Sequence, residues 1–308
     1  MLFASAAPFA QGTFPAQPIE VVVPFGAGGG ADVMARKMAR LLEPLIGVSL
    51  FVSNIPGASG NAGLTRLLTN PPDGYTIAVL IGVTVSAWAS GIGYAKPDDF
   101  VVLAAPQQSA SMLFVPADSP FTTFGGLLDY AKANPGRVKV ATSGYGSNDD
   151  ITLKYFSALG YRMTNVPYAK PEQRYASPFG KRTHAIYEEP GDVAELLATR
   201  RLRPLIVFDT ERHAAFENVP SSKELGFEIN DLLSFRMLVV RAGTPTERQR
   251  TLVNAISKAL ETPEWKKFCT ETHSCTRPYT PQQATERLKI FFETSRKYLK
   301  QIPVQPQP

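Results

Sequence analysis

The chain has 308 residues, enough for two lobes with separate cores, and its 44% hydrophobic and 19% charged residues are an ordinary globular balance that excludes disordered and fibrous classes. Its 32 Lys and Arg against 27 Asp and Glu leave a net charge of +5 spread along the sequence, without the clustered basic stripe that nucleic-acid binding needs; a receptor for acidic solutes fits this balance better. No uninterrupted apolar run reaches the ~20 residues of a membrane-spanning helix.

Residues 1–12 are small and apolar and contain Ala4-Ser5-Ala6, which matches the end of a secretory signal, but they lack its positively charged start. They read as the remnant of an export signal or a disordered end. Pro15 to Pro24 predicts the first strand. Beyond it lies Phe25-Gly26-Ala27-Gly28-Gly29-Gly30-Ala31, and then Met34, Met38, Leu41, Leu42 and Leu45 recur at helical spacing as far as Ile46. The glycines therefore sit on a helix N-terminus. There unpaired N–H groups and the helix dipole favour an anion, and the missing side chains let it approach the backbone. A sharp strand-to-helix turn is the other reading of the same residues.

Val48 to Val52 predicts a second strand, Asn54 to Gly63 a glycine-rich loop, Leu64 to Thr69 a short helix, and Tyr75 to Ile81 a third strand. This alternation implies a parallel sheet, whose ligands bind at the carboxyl ends of strands, and Gly82 to Ser86, just after the third strand, lies at such an end. After Phe114-Val115 a fresh α/β pattern begins. It has a helix over Gly125 to Ala133, a strand over Val138 to Ala141, the loop Ser143 to Asp150 and another helix. Further strands are expected at 164–167, 183–187 and 205–208, helices at 171–179 and 193–198, a returning strand at 238–240, then helices ending near Leu260 and over Pro281 to Lys300. Cys269 and Cys275 are six apart, which suits a small closed loop in an oxidising compartment or else two thiols. His184, His213 and His273 are scattered, so no metal site is expected. The Pro- and Gln-rich end, 303–308, reads as an extended tail.

Six segments in order, VVPFGAGGGAD at 22–32, NIPGASGNAG at 54–63, PPDGYT at 71–76, SGYGSN at 143–148, VPY at 166–168 and AGTP at 242–245, resemble the Bug family, the periplasmic solute receptors of tripartite tricarboxylate transporters. The resemblance implies a two-lobed periplasmic-binding-protein (Venus flytrap) α/β fold, each lobe a mixed, mostly parallel sheet flanked by helices. It implies residues 13–117 and 239–304 in one lobe, 118–238 in the other, and 305–308 as a tail. It also implies a disulfide between Cys269 and Cys275, through export. The function implied is capture of a small carboxylate, with di- and aromatic carboxylates as candidates. The protein would be a periplasmic monomer that hands its solute to membrane transporter subunits, with no catalysis, cofactor or nucleic acid.

By the same match, Phe25, Gly26, Ala27, Gly28, Gly29, Gly30 and Ala31 hold the near carboxylate. Thr84 and Ser86 add hydroxyls from the same lobe, and Ser143, Ser147 and Asn148 come from the opposite lobe. Asp32 serves the helix N-terminus. Tyr168 and Lys170, with Arg174 a turn further, are placed to receive the far carboxylate of a diacid; solvated charges balanced by Glu172 are the other reading of the two cations. The chain departs from the family pattern at Gly26-Ala27, Asn148-Asp149-Asp150, Ala169-Lys170-Pro171 and Gly180 to His184, so its ligand is not copied from relatives. A nucleotide-dependent oxidoreductase is the rival from another class, since GAGGGA satisfies the dinucleotide pattern. However, Phe51 to Asn54 lacks the acidic residue expected for the ribose. A non-transport interaction protein is the third reading.

Overall fold

The computed structural model describes residues 13–275 and 279–301. The expected signal remnant and the Pro- and Gln-rich tail lie outside the described residues. Two five-stranded sheets form the framework. In the first, β1 (Ile19–Val23) lies between β2 (Leu50–Asn54) and β3 (Thr76–Ile81), all parallel, and β10 (Ser234–Arg241) runs antiparallel between β3 and β4 (Phe100–Ser109). In the second, β6 (Lys139–Thr142) pairs in parallel with β7 (Thr164–Pro167) and β8 (Ala185–Glu188). There β5 (Met112–Pro116) runs antiparallel between β8 and β9 (Leu202–Val207). Burial on both faces explains why β1 reads as an apolar run without alternation; its one charge, Glu20, meets Arg66 at 3.3 Å.

Helices cover both faces. On one side of the first sheet α1 (Gly30–Ile46) and α8 (Thr246–Glu261) bury Met34, Met38, Leu42, Leu252 and Ile256, the residues at helical spacing. On its other side α10 (Pro281–Gln301) packs on α3 (Gly82–Ala89) and β4 and also meets α5 (Asn148–Ala158) of the second unit. One apolar cluster therefore runs from Leu80 and Phe235 through Phe291 to Phe156 and Val140, across both sheets.

At three places the structure goes beyond or against what the sequence suggests. Gly82 to Ser86, placed by the sequence only at a strand end, forms the start of α3, despite the poor helix propensity of Val83, Thr84 and Val85. Tertiary packing overrides propensity here: the segment is buried, and the Phe291 ring lies so close to Gly82 that a Cβ would come within 2.9 Å of it. Residues 112–116, expected before the change of lobe, are β5 of the second sheet, so the chain crosses between the sheets at Ala110 and Ser111. Finally, α9 (Pro263–Thr272) was not foreseen, although Thr262 accepts from Trp265 N at 3.2 Å as its N-cap and Pro263 opens it.

The Cys269–Cys275 disulfide is present and closes the end of α9 into a loop. That loop returns to the first sheet, where Gln108 N donates to Ser274 O at 2.8 Å. Loop-closure entropy for so short a link predicts that replacing both cysteines by serine costs about 2 kcal/mol. The check is the denaturant midpoint of wild type and double variant; equal midpoints contradict it.

Candidate functional site

The loop between β1 and α1 reaches the seam between the sheets because parallel strands deliver their carboxyl ends there. Helix α1 begins at Gly30 with Gly29 as its N-cap and no side-chain cap, which leaves the first-turn N–H groups without intrahelical partners. Gly29, Gly30 and Ala31 line a cavity whose opposite wall is Ser143, Asn148, Asp149, Ala169, Pro171 and Arg174 of the second unit. The two walls touch. A Cβ on Gly26 or Gly29 would lie 2.9 Å from the Pro171 ring, so only glycine permits this approach.

The floor is charged. β8 ends at Glu188, and Glu189 and Asp192 follow in the turn after it; their oxygens lie within 4.8 Å of one another. Two guanidiniums fill the site that these acids make. Arg174, on α6 (Pro171–Ala176), is paired with Glu188 and donates from Nη1 to Tyr168 O at 3.3 Å. Arg236, on β10 of the other sheet, donates from Nη2 to both Asp192 oxygens, at 2.6 and 2.7 Å, and to Glu189 at 3.2 Å. The Arg236 pair thus crosses from one sheet to the other. Its Nη1 donates to Gln107 Oε1 at 3.2 Å, whereas its Nε is buried without a partner. Hydrogen bonds from Ser59 Oγ to Tyr145 O and from Ser90 Oγ to Gly146 O, at 3.2 and 3.1 Å, join the units at the rim.

Burial dominates the electrostatics. It pushes Glu188 well above the ordinary carboxylate range against the pull of Arg174, and raises Asp192 to about 6 against the pull of Arg236. Asp149 is raised as well, although Ser143 donates to its Oδ2 from both N, at 2.6 Å, and Oγ, at 2.7 Å. Asp32 is the opposite case. Burial would raise it, but Arg36, Gly28 N and Asn54 together hold it below its usual value. Its carboxylate therefore serves the loop and the helix start, as expected.

The expected site residues divide. Phe25, Gly29, Gly30, Ala31, Ser143 and Asn148 line the cavity. Gly26 packs under Pro171, Ala27 is exposed, and Gly28 borders a separate small cavity beside Gly30, Val33 and Gln107. Thr84 is fully buried beneath Gly60, and Ser86 bonds Ser295 Oγ at 3.2 Å; neither hydroxyl lines the cavity, because α3 turns them into the packed interior. Ser147 caps α5, accepting from Asp150 N at 3.3 Å and donating to Gly144 O at 2.5 Å. Tyr168 contributes its carbonyl to Arg174, while Lys170 is exposed and is not among the residues that line this cavity. Its neighbour Arg174, for which a solvated position was an open reading, is only 7% exposed and lines the cavity.

The reading missed Asp149, Glu189, Asp192, Ser234 and Arg236. A usable signal existed in Arg236, a lone cation inside the apolar run Ser234 to Val240, and in two acids directly after the apolar Ala185-Ile186-Tyr187.

The family described as "Tripartite tricarboxylate transporter family receptor" matches residues 34–302. BugT of Bordetella pertussis is 30% identical over 228 residues, covering 72% of this chain and 70% of BugT, and a UPF0065 protein of Cupriavidus necator is 29% identical over 282 residues, covering 90% and 86%. Among solved structures, Rpa4515 of R. palustris with adipate superposes with a TM-score of 0.87 at 24% identity, covering 96% of this chain and all of that one. MatC of Rhodopseudomonas palustris with bound malate gives 0.86 at 22%, covering 93% and 100%. The fold is therefore the two-lobed one of periplasmic binding proteins, and the chain belongs to the tripartite tricarboxylate transporter receptor family.

Two outcomes follow from the geometry. A Cβ on Gly30 would overlap Asp192 Oδ1 and Arg236 Nη2, so Gly30→Ala should separate the two walls and abolish solute binding while leaving far-UV circular dichroism unchanged. Retained binding in calorimetry argues against the seam as the site. The second outcome concerns Asp192, whose carboxyl is raised to about 6 from an ordinary 3.8, so the folded state holds its proton more tightly than the unfolded chain. Its stabilising contribution is complete below the lower value and lost as pH rises through the higher. The melting-temperature advantage of wild type over Asp192→Asn should therefore fall as pH rises between those values, and a flat difference contradicts it.

Proposed function

We propose that the protein captures a small organic carboxylate in the seam between its sheets and delivers it, as a monomer in the periplasm, to the membrane subunits of a tripartite transporter. One observation carries this reading: the uncapped N-terminus of α1 presents Gly29, Gly30 and Ala31 to a cavity enclosed between the two units. MatC with malate and Rpa4515 with adipate are carboxylate complexes of the same fold, which supports the same ligand chemistry here. The lobes would move as units about two crossings, at Ala110-Ser111 and between β9 and β10. Phe25, Gly29, Gly30 and Ala31 would hold the carboxylate from one side, with Ser143 and Asn148 opposite.

The oxidoreductase reading has less support. Where a dinucleotide site needs an acid after the second strand, β2 ends at Asn54, whose amide is committed to Phe25 O at 3.1 Å and Asp32 Oδ1 at 2.9 Å. The protein would act by binding and release, with no bond made or broken.

A thermal-shift screen over organic acids tests the proposal. A bound acid at a hundred times its dissociation constant should add about 2.7 kcal/mol and raise the melting temperature, and the corresponding neutral amide should not. Equal shifts from acid and amide would remove the anion site.

A further inference from the structure

We propose that the loop closed by Cys269–Cys275 and the segment around His213 form a proton-sensitive clasp between the two units, held while His213 is neutral and released when it takes a proton. The inference concerns how the units are held together and is independent of which solute the seam takes. It shares with the reading above only the movement of the units about their two crossings.

The clasp lies outside the cavity lining, where those crossings meet. Ser109 precedes the first crossing, and His213 belongs to the segment between β9 and β10 that leads to the second. Between them α9 ends at His273, whose left-handed φ of 50° turns the chain back. The His273 carbonyl accepts from His213 Nε2 at 3.2 Å and from Ser109 Oγ at 3.5 Å. Its ring stands edge-on to His213 and Phe216, at centroid distances of 6.3 and 5.7 Å. One residue earlier, Thr272 abuts the turn after β8: a Cβ on Gly191 would lie 2.4 Å from Thr272 O. A hydrogen bond is lost within about half an ångström of added length, so a contact beside the pivot still registers a small rotation.

The bonding fixes the proton count. Ala215 N can only donate, and it donates to His213 Nδ1 at 3.1 Å, so Nδ1 is bare and Nε2 carries the hydrogen that reaches His273 O. Both ring nitrogens are satisfied in the neutral form alone. A proton on Nδ1 would oppose the Ala215 N–H, and the ring would have to turn, which withdraws Nε2 from His273. The new cation would also be confined to a side chain only 8% exposed, facing a second imidazole.

Charge points the same way. Burial holds the His213 imidazole below its ordinary 6.5, and the His273 ring opposes its proton as well, against the pull of the His273 carbonyl and Asp209. Other charges on the elements packed here are paired or in water: Arg212 with Glu224, Lys267 of α9 with Glu271, Arg236 with Asp192 and Glu189, and Glu211 and Glu217 exposed. Because the clasped state holds the His213 proton less tightly than the released one, the clasp contributes fully to closure above 6.5, and that contribution is lost as pH falls below it. Asp192, raised to about 6, carries the opposite sign, since its contribution is lost as pH rises.

A nuclear magnetic resonance titration of the imidazoles, paired with small-angle X-ray scattering of the solute-free protein from about pH 8 to about pH 5, tests this across the range where histidine titrates. His213 should titrate below 6.5, and the radius of gyration should rise as it does. His213→Gln keeps a donor for His273 O without a titrating group, so its radius should stay at the neutral wild-type value throughout. His213→Ala removes the clasp and should show the larger radius at every pH, with unchanged far-UV circular dichroism. A His213 that titrates at or above the ordinary value, a wild-type radius that ignores pH, or an equal rise in His213→Gln would overturn the inference. Each of these leaves the carboxylate reading standing, because that reading is judged by acid against amide at a single pH.

Discussion

The interaction on which the rest of the site depends is the Arg236 guanidinium crossing from β10 into the acidic turn after β8. Taking Asp192, Glu189 and Arg236 out of water is expensive, and their mutual attraction repays it only with close geometry and further hydrogen bonds. The surrounding structure supplies these. Gln107 accepts from Arg236, Ser111 Oγ donates to Glu189 Oε1 at 3.2 Å, and Gly30 leaves space for Asp192 against the start of α1. Gln107 is held in turn by Ser274, which the Cys269–Cys275 link keeps beside β4. The disulfide lies outside the cavity lining, yet it belongs to the support of the ion pair.

Two helix N-termini face the seam, and each holds an acid in its first turn. In α1 the first-turn acid, Asp32, accepts from Gly28 N before the helix, from Arg36 a turn further along it and from Asn54, and with no side-chain cap the foremost N–H groups stay open to an anion. In α5, Asp150 accepts from Gly146 N in the same way and Asp149 accepts from Ser143 N, but here Ser147 also caps the helix by accepting from Asp150 N. A glycine-rich sequence and an Asn-Asp-Asp sequence at equivalent strand-to-helix junctions thus leave one helix start without a side-chain cap and the other with one.

Much of this was legible in the sequence, because the strand-loop-helix passage at 19–46 carries local signals: an apolar run, glycines, then helical periodicity. The family resemblance placed Ser143 and Asn148 on the opposite side, and both line the cavity. It failed at Thr84 and Ser86, since it placed hydroxyls at a strand end and could not see that packing against α10 winds Gly82 to Ala89 into a helix. It also favoured Lys170 over Arg174 for the cavity. Four residues separate them on a helix of one and a half turns, and only the partner Glu188, on a distant strand, decides which cation is buried. Arg236 and Asp192 escaped for the same reason. Their meaning lies in a contact over 44 residues of chain, between two sheets, that no local pattern encodes.

The ionic content of the seam bears on how such a receptor closes. Apolar walls would hold the lobes together whether or not a solute was present, because burial of apolar area is non-directional. Here the contact between the walls consists largely of glycine backbone, one proline ring and buried ion pairs, and buried ion pairs roughly break even against their desolvation. In a receptor whose lobes move, this part of the contact would add little to closure of the empty protein, and a few correctly placed hydrogen bonds from a solute would weigh correspondingly more. A ligand shifts such an equilibrium only by its differential affinity for the two states. Groups that exist as a complete set only when the walls meet, the α1 N-terminus from one and Ser143 and Asn148 from the other, are the arrangement that would make that difference large.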